Sequence, residues 1–147
     1  MPGLYGFFLR NCYTLPLATN PTVLRDLYAS ISAILKKGNY ILIYPEQSMW
    51  WNYRKPKPLK QGAFIFASKN NVPVIPTFIT MRDTDKLDKD GAPIQAYTLH
   101  FLKPIYPDED LSQQENVNYM KELNEKRCKE IYEQVYGVSL EYLPEEK

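Results

Sequence analysis

The apolar positions of the chain fall into runs of two different periods. Leu24, Leu27, Ile31, Ile34 and Leu35 recur at helical spacing and predict a helix over 22–37 with one apolar face. Asn20 suits its N-cap and Pro21 its first turn, Lys36 and Lys37 complement the C-terminal dipole, and Gly38 is the expected stop. Tyr40-Ile41-Leu42-Ile43-Tyr44 is short, apolar and rich in β-branched residues, the pattern of a strand buried on both faces of a parallel sheet, ended by Pro45. Residues 46–60 read as a loop holding Pro56 and Pro58 among aromatic and basic residues. A helix carrying Ala63, Phe64, Phe66 and Ala67 follows over 60–70, broken by Asn70-Asn71. Val72 to Met81 reads as a second buried strand, with Pro73 and Pro76 pointing to an edge or a bulge. The charged stretch 83–93 reads as a loop. Ile94 to Ile105 alternates as a third strand, with Ala96, Thr98, His100 and Leu102 on one face and Tyr97, Leu99, Phe101 and Lys103 on the other. A long helix over 112–136 buries Val117, Met120, Leu123, Ile131, Val135 and Tyr136 and ends at Gly137. The expected fold is α/β, a mostly parallel central sheet flanked by helices, in a single domain over 1–147.

Composition narrows the chemistry. With 44% apolar and 24% charged residues in 147, the chain is of globular type and of one-domain size. No run approaches the ~18 apolar residues of a membrane span. The two cysteines, Cys12 and Cys128, exclude a four-cysteine zinc site and a disulfide scaffold, and both sit where buried, inert thiols are expected. The single histidine, His100, excludes every metal site that needs two, so neither metal nor cofactor is called for. It alternates with apolar neighbours and reads as a satisfied face residue. Phosphate-loop, dinucleotide and nucleophile-elbow motifs are missing. The opening residues lack a basic n-region and a small-residue cleavage site, against a secretory signal.

The net charge of +1 hides an asymmetry: residues 1–82 hold ten Lys/Arg against two Asp/Glu, whereas 105–147 hold five against eleven. Between Glu46 and Asp83 there is no acid, yet Arg54, Lys55, Lys57, Lys60, Lys69 and Arg82 lie there. Such a block suits an anionic partner, whether phosphate, nucleic acid or an anionic membrane surface, or else a solvated polar face. The segment Met49-Trp50-Trp51-Asn52-Tyr53-Arg54-Lys55 mixes aromatics with cations, which fits a membrane interface, single-stranded nucleic acid, or a loop packed on its own domain. Glu46 directly follows a buried strand, where an α/β fold keeps its ligands.

The blocks Y-P-E-Q-S (44–48), K-Q-G-A-F (60–64) and V-P-V-I-P (72–76), in this order, resemble the 1-acylglycerol-3-phosphate acyltransferases. That family carries F-P-E-G-T-R, K-x-G-A-F and V-P-[VI]-[VI]-P at similar separations. The resemblance covers residues 14–82. It implies transfer of a fatty acyl group from acyl-CoA or acyl carrier protein to a lysophospholipid acceptor, in phospholipid biosynthesis, at the inner face of the membrane. It implies a cytoplasmic, peripheral protein and no nucleic-acid partner. Carried over by position, Tyr44, Pro45, Glu46, Gln47 and Ser48 form the acceptor-binding block. Gln47 stands for the family's glycine and Met49 for its arginine, so Arg54 or Lys60 is expected to supply the phosphate cation from beside Ser48.

The family's catalytic H-x-x-x-x-D is missing; Ile105 stands five residues after His100. No catalytic residue is therefore assigned, and the chain reads as the C-terminal part of the domain, inactive alone. The alternatives are a non-catalytic phospholipid-binding domain and a nucleic-acid-binding α/β domain. Truncation would leave Leu4, Tyr5, Phe7, Phe8 and Leu9 exposed, the helix face of Leu24, Leu27 and Ile31 under-covered, and the strands at 40–44 and 72–81 near a sheet edge.

Overall fold

A computed structural model describes residues 3–4, 7, 11–12, 14–15, 20–48, 50 and 52–142. Among these are three helices and two strands: α1 (Pro21–Lys36), α2 (Gly62–Asn70), β1 (Thr77–Leu87), β2 (Pro93–Phe101) and α3 (Gln113–Tyr136). The chain divides into two compact units, Met1–Leu42 and Ile43–Lys147.

The first unit contains α1, formed as its sequence dictates. The Asn20 side chain accepts from Thr22 N at 2.9 Å, Pro21 opens the helix, and Gly38 turns the chain at φ +75°. Leu27 and Ile31 are buried and Leu24, Ile34 and Leu35 half-buried, so the apolar face is the one the periodicity marks. The expected under-covering of Leu27 and Ile31 does not occur. Leu4 and Phe7 are exposed as expected, while Tyr5, Phe8 and Leu9 lie outside the described residues. Residues 40–44 form no strand: Tyr40, Leu42 and Tyr44 are exposed, and only Ile41 and Ile43 are half-buried. A β-rich composition makes a strand only when a neighbouring strand takes its backbone N–H and C=O groups, and no strand does so among the described residues.

The second unit is an antiparallel hairpin packed on helices. β1 and β2 pair from Thr77↔Phe101 to Asp83↔Gln95, then again at Leu87↔Pro93 after a register shift. The parallel sheet expected from the buried-strand pattern is not seen among the described residues; the only sheet there is this hairpin. The strand expected over 72–81 starts only at Thr77. Pro73 and Pro76 have no N–H to give a ladder, and before Thr77 the pairing is reduced to a Val74–Ile105 bridge and a bond from Leu102 N to Pro76 O at 3.0 Å. At its other end β1 runs through Asp83 and Asp85 into the stretch expected to be loop. Charges are tolerated there because that arm is solvent-facing, and the turn shrinks to the residues around Gly91 at φ +80°. Asp88 closes it by accepting from Asp90 N and Ala92 N, both at 2.9 Å.

α2 and α3 pack together. Phe64 and Ala67 of α2 meet Val117 and Met120 of α3, with Leu59 and Ile105 between. A second cluster, Phe78, Cys128, Tyr132 and Leu140, fixes the inner face of the hairpin on α3. Ser112 caps α3 in a reciprocal capping box with Glu115, and Gly137 ends it at φ +67°. The buried stripe of α3 includes Val117 and Met120 as expected. It then continues through Asn124, Cys128 and Tyr132, leaving Val135 exposed. Asn116, also buried, holds the chain before α3 by accepting from Asp108 N at 2.7 Å and donating to Asp108 O at 2.8 Å.

Candidate acceptor-binding site

The site residues lie in the loop between 44 and 60, which the rest of its unit holds in place. Lys60 N donates to Pro45 O at 2.9 Å and joins the two ends of the loop. Leu59 N donates to Glu125 Oε1 of α3 at 2.9 Å, and Lys55 Nζ donates to Glu141 O at 2.8 Å. With these anchors the loop folds over its own domain, and Pro56 and Lys57 are buried.

Glu46, Ser48 and Lys57 come together there. Glu46 Oε1 accepts from Lys57 N at 3.4 Å. Lys57 Nζ donates to Ser48 Oγ at 2.8 Å, and Ser48 Oγ in turn lies 3.3 Å from Glu46 O. Burial pushes the Glu46 carboxyl above its ordinary range, against the opposing pull of the Lys57 N–H and the Lys57 charge. The ammonium sits 3.4 Å from the centroid of the Trp50 ring and 5.4 Å from that of Tyr53. Those two rings meet edge to face at 4.9 Å. Burial, then the negative charge of Glu46, raises the Tyr53 hydroxyl above its usual range. The two leading residues of the block behave differently: Pro45 is half-buried, and the Tyr44 side chain is exposed.

Gln47 adopts φ +55°, the left-handed region, in a turn where its N–H reaches Tyr44 O at 3.3 Å. This is the position matched to the family's glycine. The turn needs a backbone that glycine takes at no steric cost, and here glutamine takes it instead.

Two expectations about cations are corrected. Arg54 does not reach back to Ser48; it pairs with Asp83 at 2.5 Å and leans on Gln95 Oε1 at 3.4 Å, both on the hairpin. Lys60 is exposed, and only its backbone is tied to the loop. The cation beside Ser48 is Lys57, which sequence reasoning passed over. Its signal is the run Pro56-Lys57-Pro58: a proline on each side restricts the backbone and so aims the side chain.

The remaining candidates are accounted for. His100 is half-buried on the inner hairpin face, with its Nε2 2.8 Å from Thr80 Oγ1, the satisfied face residue expected. Cys128 is buried, and desolvation pushes its thiol up to about 12, an inert group. Cys12 is exposed, contrary to expectation. No helix among the described residues is long and apolar enough to cross a membrane.

Comparison with known proteins bears on the same region. No curated protein and no solved structure matches the chain. A family model described as acyltransferase matches residues 1–80, more than half of its length and including the whole 44–60 loop. The chain belongs to the acyltransferase family.

Proposed function

We propose that this chain belongs to the lysophospholipid branch of acyl transfer and carries the acceptor-binding side of the reaction. The substrate class is a lysophospholipid such as 1-acylglycerol-3-phosphate, and the donor is a fatty acyl thioester of coenzyme A or acyl carrier protein. In that reaction the acceptor hydroxyl attacks the thioester carbonyl, loses its proton to a base, and expels the thiol. The observation that carries the reading is the joining of Glu46, Ser48 and Lys57 in a loop whose sequence matches the family's acceptor block in order and spacing. The setting is phospholipid biosynthesis, with the protein peripheral to the inner face of the membrane and no nucleic acid involved.

The chain alone is not expected to turn over. Its one histidine, His100, is occupied by Thr80, and a positioned base typically contributes ~10²–10⁴-fold. The same observation favours the second reading, a phospholipid-binding domain without chemistry. Thiol release from acyl-CoA and from acyl carrier protein, with lysophosphatidic acid as acceptor, should match the blank. Co-sedimentation with vesicles containing lysophosphatidic acid should be positive. Turnover that is abolished by His100→Ala would make His100 the base and overturn the inactive reading. A gel shift with single-stranded DNA and no vesicle binding would replace the lipid reading with a nucleic-acid one.

A further inference from the structure

We propose that Lys57 is the cation of an oxyanion site whose ligand is a phosphomonoester, a proposal that rests on the acceptor-binding reading above. Lys57 is only 7% exposed. A lysine that deep ordinarily meets a carboxylate, because an unpaired buried ammonium is costly. None of the ion pairs among the described residues involves Lys57. Glu46, the nearest acid in sequence, gives its carboxylate to the Lys57 backbone N–H and not to the ammonium. From residue 47 to residue 82 the chain contains no other acid.

What holds the ammonium is neutral. Ser48 Oγ accepts one of its three N–H groups, and the faces of Trp50 and Tyr53 supply cation–π attraction. These contacts fix the position of the charge; Glu46 attracts it through space but makes no ion pair with it. Ser48 is exposed, so an anion approaches from that side and meets the ammonium and a hydroxyl together. The Ser48 hydroxyl holds its 3.3 Å contact to Glu46 O loosely and is free to turn toward an incoming oxygen. Trp50, 58% exposed, offers an apolar wall beside the charge, which suits the glycerol or acyl part of an amphiphile.

Arg54 and Lys55 of the loop are committed elsewhere, and Lys60 is exposed. Arg54 is neutralised by Asp83, and Lys55 is turned to Glu141 O. Lys57 thus takes the part of the arginine that Met49 replaces, from eight residues further along the chain.

The test is equilibrium binding of the full chain to three probes: inorganic phosphate, glycerol 3-phosphate, and lysophosphatidic acid in phosphatidylcholine vesicles. Monoacylglycerol in the same vesicles is the uncharged control. Lys57→Met should weaken every phosphate-bearing probe by about tenfold or more, the range of one charged hydrogen bond. Lys57→Arg should stay within a few-fold of wild type, which separates lost charge from lost folding. Arg54→Gln should change little. Binding that is strong for the lipid probe and weak for free phosphate identifies a headgroup site; the reverse identifies a site for the free ion. If wild type and Lys57→Met bind phosphate equally while Arg54→Gln does not, Lys57 is wrongly assigned and the acceptor-binding reading survives. If wild type binds no phosphate-bearing probe, both fall together.

Discussion

Lys57 Nζ lies 3.4 Å from the centroid of the Trp50 ring, and this pair organises the tip of the site loop. The indole covers the ammonium while its own outer side faces water. A contact of this kind at a half-exposed site contributes ~0.5–1 kcal/mol. Trp50→Leu should therefore lower stability by about that coupling plus the lost packing, and the coupling should vanish in a Lys57→Met background. A double-mutant cycle on urea midpoints isolates it. Strict additivity of the two substitutions would mean that the ring and the ammonium do not interact in solution.

Gln47 makes a second, opposite prediction. Its φ of +55° is uncomfortable for a residue with a Cβ. Gln47→Gly should raise stability by ~0.5 kcal/mol, since relief of the left-handed strain exceeds the extra freedom glycine gains when unfolded. Gln47→Val, β-branched, should lower it by ~1 kcal/mol or more. Thermal melts of the two variants should move in opposite directions from wild type; a loss of stability with glycine would show that the side chain contributes more than the turn costs.

These two residues also mark how far the sequence could be read. Local signals were legible. Asn20 and Pro21, Gly38 and Gly137 set helix ends within a residue or two, because capping depends only on neighbours in the chain. Pairing was not legible. Tyr40 to Tyr44 has strand composition and no strand, and β1 with β2 make an antiparallel hairpin where buried runs suggested parallel neighbours. Composition reports how a segment would pack, not which partner it finds. In the site, the block 44–48 was legible as a motif. Its cation was not, because Arg54 meets Asp83 across 29 residues of chain and Lys57 is aimed by two prolines whose joint effect no spacing rule expresses.

Glu46 should make stability depend on pH in an uncommon direction. Burial raises its pKa above 4.5, so the folded chain holds this proton more tightly than the unfolded chain does. Its contribution to stability is therefore greatest where the carboxyl is protonated, and falls as pH rises from 4.5 through the raised folded value. Glu46→Gln, which keeps the shape and removes the charge, should melt higher than wild type at pH 7. The two melting curves should converge below pH 4.5. A variant less stable than wild type at pH 7 would show that the attraction of Lys57 for the carboxylate outweighs its desolvation.

β2 is an edge strand without the usual protection. Within its own unit it is paired to β1 on one side, and among the described residues no other helix or strand packs against it. Residues 91–102 contain no Asp, Glu, Lys or Arg. Their outer face shows Tyr97 at 65% and Phe101 at 72% exposure, with Leu99 between them. Natural edge strands are ordinarily blunted by charge, proline or a bulge, because a bare apolar edge templates pairing with another chain. Here Pro93 and the register irregularity opposite it, between Asp83 and Leu87 of β1, guard only the start of β2. The chain should self-associate as its concentration rises, and Leu99→Lys should suppress this by placing a like charge in the middle of any β2–β2 pairing. At a solvent-facing position the substitution should change stability by no more than ~0.5 kcal/mol. Sedimentation velocity over a concentration series, alongside a thermal melt, measures both effects. Association that persists unchanged in Leu99→Lys would move the contact to another exposed apolar stretch, of which Tyr40, Leu42 and Tyr44 are the first to mutate.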